Sequence, residues 1–182
     1  MSQITLRNNT PFIAQYIVRK GDQVIARIPG IEPNAQMSIP TDDTFEVVAA
    51  AVINGNTYTS APQTVKGSMG FLAQVLQVPA QGTYAFDVLE VPSRTPSTLE
   101  FQKTCLGAVT FTITKNGQAL QNVVVNDDYT RQSLDISDTF YVYAVVNGVT
   151  TAVTTFTDAS AIITTVVDNS DLENGYVNLS IN

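Results

Sequence analysis

Period-two alternation of apolar and polar residues dominates this chain. Val109, Phe111 and Ile113 alternate with Thr110, Thr112 and Thr114, the pattern of a strand with one face in a core and threonines toward water. Similar runs predict strands over Phe12 to Arg19, Val24 to Ile28, Thr44 to Ile53, Phe71 to Val78 and Thr83 to Val91, with short ones near Ile4 and Met37. Asn54-Gly55 and Asn147-Gly148 accept positive φ and suit tight hairpins. No convincing amphipathic helix intervenes, although Lys66 to Gln74 admits a helical turn as an alternative.

The chain writes nearly the same phrase twice, DTFEVVAAAVING from Asp43 to Gly55 and DTFYVYAVVNG from Asp138 to Gly148. Leu99-Glu-Phe101 matches Ile4-Thr-Leu6, the polar turn around Gly117 matches that around Gly21, and GTYAFDV and GYVNLSI close the two halves. Val91 to Ser97, rich in proline and small polar residues, reads as a linker. The expected fold is therefore all-β. It consists of two tandem antiparallel β-sandwich domains, immunoglobulin-like or transthyretin-like, over residues 1–93 and 94–182 and related by internal duplication. Phe45, Val47, Ala49 and Ala51 form the predicted core face of one repeated strand, and Phe140, Val142, Ala144 and Val146 that of the other. Each strand opens on an Asp-Thr pair whose carboxylate suits nearby backbone N–H groups.

The opposite faces of these strands are unusual. Tyr141, Tyr143 and Val145 alternate with one core set, and Val48, Ala50 and Val52 with the other, where a sandwich strand ordinarily carries polar groups. Tyr141, Tyr143, Val145, Val48 and Val52 are thus candidate interface residues. Their cover comes from the sister domain, from loops of the same domain or from another molecule. The threonine-rich run Val149 to Phe156 also lacks the lysines and prolines that protect sheet edges.

Composition changes this picture mainly by exclusion. Charged residues are only 14% of the 182, and the formal net charge of −7 with nine basic residues argues against nucleic acid as a partner. No apolar run approaches the roughly 20 residues of a membrane-spanning helix, so no transmembrane segment is expected. MSQITLRNNT has no recognisable secretory signal, so synthesis in the cytoplasm is expected, with the final location open between an assembly, a virion and leaderless export. Cys105 is alone and no histidine exists, which removes intramolecular disulfides, Ser-His-Asp and Cys-His catalysis, and most zinc and non-haem iron sites. No phosphate-cradling glycine motif is present. An enzyme is not expected, nor a cofactor.

Carboxylates are the remaining chemistry. Asp168, Asp171 and Glu173 form an oxygen-rich loop of the kind calcium prefers, although the spacing does not match an EF-hand and solvated acidic turns, common in acidic β-proteins, are the favoured explanation. Tyr58, Tyr129, Asp127 and Asp128 are the loop residues suited to a sugar. Two functional classes follow. One is a non-enzymatic structural protein whose partner is itself, forming a homo-oligomer or larger assembly. The other is a carbohydrate- or receptor-binding module, lectin-like or toxin-associated. The apolar strand faces favour assembly.

Overall fold

A computed structural model describes the chain apart from Asp171 and Asn174 and the side chains of Gln77 and Val78. Among the described residues there is no helix, and eighteen strands lie in four sheets. Nine belong to the first half of the chain: β1 (Gln3–Asn8), β2 (Ala14–Lys20), β3 (Gln23–Ile31), β4 (Gln36–Pro40), β5 (Thr44–Ile53), β6 (Asn56–Thr59), β7 (Gln63–Lys66), β8 (Met69–Val78) and β9 (Thr83–Val91). The second half supplies β10 (Thr98–Lys103), β11 (Val109–Lys115), β12 (Gln118–Val125), β13 (Gln132–Asp135), β14 (Phe140–Val146), β15 (Val149–Thr150), β16 (Thr154–Phe156), β17 (Ile162–Val167) and β18 (Val177–Ile181). The alternative helical turn near Lys66 to Gln74 is instead the end of β7 and the start of β8.

The chain forms two compact units, and they cut across the expected halves 1–93 and 94–182. Unit 1 comprises Met1–Asp42 with Ser137–Asn182, and unit 2 is the intervening Asp43–Ile136. Val91 to Ser97 therefore lies inside unit 2. It joins β9 to β10, the former paired with β8 antiparallel and the latter with β8 in parallel. Proline and small polar residues mark a surface connection there as legibly as a domain boundary.

Within unit 1 the sheets run β18-β17-β1-β4 and β15-β14-β2-β3, with β16 also paired to β14. Within unit 2 they run β9-β8-β10-β13 and β6-β5-β11-β12, with β7 also paired to β5. Exchanging each strand for the one nine places away in sequence turns the first description into the second. The correspondence includes one parallel pair per unit, β1 with β17 and β10 with β8, where purely antiparallel sheets were expected. In both parallel pairs the two strands come from opposite halves of the chain, whereas a hairpin joins only antiparallel neighbours.

Alternation produces the cores as anticipated. Phe140, Val142, Ala144 and Val146 are buried with Ile4, Leu6, Tyr16, Val18 and Ile163 in unit 1. Phe45, Val47, Ala49 and Ala51 are buried with Phe71, Leu99, Phe101, Phe111 and Ile113 in unit 2. Each core draws side chains from both sheets of its unit. Stacked rings reinforce both, Phe140 on Phe156 at 5.5 Å and Phe71 on Phe101 at 5.4 Å between centroids. The hairpin turns follow their sequences: Asn54 and Gly55 have φ of 52° and 78°, and Asn147 and Gly148 have 49° and 78°.

Candidate functional site

Part of the exposed apolar surface of unit 2 borders a pocket beside the β5–β6 hairpin. Gly107, at φ 82°, lets the β10–β11 loop approach β5 so closely that a Cβ there would lie 3.0 Å from the Val52 carbonyl oxygen. Position 107 therefore leaves no room for a side chain, and its neighbour Leu106 is 75% exposed. Leu106 joins Ile53 and Asn54 of the β5–β6 hairpin, Tyr58 of β6, Val75 of β8 and Tyr84 of β9 around a pocket of about 320 Å³. The Tyr58 ring packs at 6.4 Å from Phe86, which in turn rests on the core, so one wall is anchored. Tyr84 is 63% exposed and forms the outer rim. The volume reaches the lower end of the range for small-molecule sites, and the lining is largely apolar.

Tyr58 is thus the sequence-predicted ligand residue that the fold places in a concave site. Tyr129 is fully exposed, and Asp127 is exposed beside it. Asp128 has a structural partner: its carboxylate binds Lys103 Nζ, which also donates to the Cys105 carbonyl at 3.0 Å. Lys103 is 2% exposed, so this pair fixes the start of the β10–β11 loop. Burial pushes the Cys105 thiol up from its ordinary value of 9.0, against the opposing pull of Lys103, and leaves it a small buried hydrophobe.

Of the calcium candidates, Asp171 lies outside the described residues. Asp168 caps its own turn, accepting from the Ser170 N–H at 3.0 Å, the Ser170 hydroxyl at 2.5 Å and Asn178 Nδ2 at 3.2 Å. Glu173 is exposed. Among the described residues no group of three or more Cys, Asp or Glu gathers as a metal site, and no helix is long and apolar enough to cross a membrane.

The candidate interface residues divide between the units. In unit 1, Tyr141, Tyr143 and Val145 are half-buried, and the Arg19 guanidinium lies 5.0 Å from the Tyr141 ring centroid, so part of their cover is local. In unit 2, Val48 is half-buried and Val52 is 62% exposed beside a shallow groove of about 330 Å³ lined by Ala50, Thr57, Ala108 and Thr110.

Sequence reasoning missed a hydrogen-bonded clasp that occurs once in each unit. In unit 2, Ser60 N–H donates to the Ala49 carbonyl at 2.9 Å, Ala49 N–H donates to Ser60 Oγ at 2.9 Å, and that hydroxyl donates to the Ala61 carbonyl at 3.1 Å. In unit 1, Thr151 makes the same three bonds with Ala144 and Ala152 at 2.9, 3.0 and 3.1 Å. The hydroxyl satisfies the central-strand N–H where the paired edge passes from β6 to β7, or from β15 to β16. The signal was present as Ser60-Ala61 and Thr151-Ala152, each a few residues after an Asn-Gly turn.

Comparison with known protein families, curated proteins and solved structures finds no match.

Proposed function

We propose that this chain is a non-enzymatic building block: a duplicated nine-strand sandwich repeat whose two copies exchange strands, and which assembles with further copies of itself. One observation carries the reading. Each unit takes four strands from one half of the chain and five from the other, in corresponding order, so each half completes its sheets with strands of the other. The doubled Ser60 and Thr151 clasps support common descent, because a three-bond arrangement recurring at matching strand positions is not required by an all-β architecture. The partly covered faces around Val52 and Tyr143 supply additional surface for packing.

Size-exclusion chromatography with light scattering across a dilution series tests this proposal. Masses above that of one 19.6 kDa chain at micromolar concentration are expected, and a clean monomer throughout refutes assembly. A second reading, carbohydrate binding, draws on the two tyrosines and Asn54 at the 320 Å³ pocket, since sugars stack on exposed aromatic rings. A glycan array hit that Tyr84→Ala abolishes would establish it; an empty array removes it.

A further inference from the structure

Unit 1 is closed by chain segments separated by the whole of unit 2. Residues 1–42 contribute β1 to β4, and residues 137–182 contribute β14 to β18. The two segments meet along two seams. In the first, β1 pairs with β17 in parallel, placing Leu6 opposite Ile163. In the second, β2 pairs with β14, placing Val18 opposite Val142 and Tyr16 opposite Ala144. The buried core of unit 1 is divided between the segments, with Ile4, Leu6, Ala14, Tyr16 and Val18 on one side and Phe140, Val142, Ala144, Val146 and Ile163 on the other. Neither segment can bury its apolar face without the other. Unit 2, by contrast, is one continuous stretch and draws on no part of unit 1 for its strands.

From this asymmetry, and resting on the assembly reading above, we infer that the interaction surface is the pair of seams in unit 1 and that its partner is residues 1–42 of a second copy. Identical segments make identical contacts whether they come from the same chain or another, so exchange requires only that the connection at Asp42–Asp43 open differently. On the unit 2 side of that connection, the Asp43 carbonyl accepts from the Gly67 N–H at 3.3 Å. Thr41 N–H donates to the Ser2 carbonyl at 3.2 Å, and its hydroxyl donates to the Ala159 carbonyl at 3.3 Å. Both bonds are made by Thr41 within unit 1 and remain available after exchange. Reciprocal exchange gives a closed dimer. Exchange passed from chain to chain gives a linear assembly in which each unit 2 is an intact bead.

Complementation between two damaged chains tests the exchange. Leu6→Asp spoils residues 1–42 and Val142→Asp spoils residues 137–182, each placing a carboxylate where the wild-type side chain is fully buried. Each variant alone is expected to remain at monomer mass with unit 1 unprotected from hydrogen exchange. Refolded together, they are expected to form a species of twice that mass in which one intact unit 1 regains protection. A mixture that equals the sum of its parts overturns the inference. Should either variant aggregate alone, unsubstituted chains bearing two different tags are unfolded together and refolded at high concentration. Capture through one tag should then retain the other after dilution, and loss of that retention overturns the exchange. Oligomers of the unsubstituted chain without complementation or retention would leave assembly standing and remove strand exchange as its cause.

Discussion

Unit 1 places a hydroxyl pair where unit 2 places an apolar one. Tyr16 and Thr165 lie in unit 1 with their oxygens 2.5 Å apart, the Tyr16 hydroxyl also reaching the Arg7 carbonyl at 3.3 Å. The strand registers put Phe111 and Ala73 at the corresponding positions of unit 2, both fully buried. Opposite Thr165 on β1, Asn8 is buried and donates to the Phe12 and Ile31 carbonyls at 2.6 and 2.8 Å, while Thr10 donates to its oxygen at 2.7 Å. The matching residue of unit 2 is Lys103, joined to Asp128. The same pairing scheme thus tolerates two solutions for one site. What it requires is that every polar group placed there find a partner, because an unmet buried donor or acceptor costs about 1–3 kcal/mol.

The largest test of the comparison is at the paired phenylalanines. Phe45→Ala and Phe140→Ala should each destabilise by roughly 3–5 kcal/mol in denaturant titrations, the ordinary consequence of emptying an aromatic core site. A loss below about 1 kcal/mol in either unit would break the equivalence of the two positions.

Tyr16→Phe should cost about 1–3 kcal/mol, because it strands the Thr165 hydroxyl in the core. Adding Thr165→Ala reproduces the apolar solution of unit 2, so the double variant should lose less than the sum of the two single changes. Strict additivity would show that the pair does not act together. The phenol also has a pH signature. Burial raises the Tyr16 pKa above its ordinary 10.0, outweighing the Thr165 hydrogen bond that lowers it. Its protonated form is therefore favoured in the folded state. The stability this provides is present below pH 10.0 and is lost as pH rises through the raised value. Tyr16→Phe should flatten that alkaline slope, which thermal melts across the range would measure.

Ser60→Ala and Thr151→Val should each cost about 1 kcal/mol by leaving the Ala49 or Ala144 N–H unsatisfied. Unequal losses would mean that one clasp is replaced by water. The smallest effect belongs to Arg19→Ala, about 0.5–1 kcal/mol from the contact with Tyr141.

Local signals made much of this legible. Alternation identified the buried faces of β5, β11 and β14 residue by residue, and the Asn-Gly pairs identified two hairpins, because side-chain period and positive φ are properties of short stretches. Which strands pair across the chain was not legible. DTFEVV and DTFYVY are nearly the same phrase, but Phe45 shares its core with Phe101 and Phe111 from the other half, a choice between similar surfaces that alternation cannot make. The pocket was half visible. Tyr58 stood out as a loop aromatic, whereas Tyr84 fell within a predicted strand and nothing in the local pattern singled out Leu106, which only the fold brings beside them.

Cutting the exposed connection between β9 and β10 tests strand exchange between the halves most directly. A protease site placed between Arg94 and Thr95 divides the chain into the two sequence halves. With each unit built from both halves, the cleaved protein should elute at its uncut mass and separate only on unfolding. Two half-mass species released without denaturant would contradict the account.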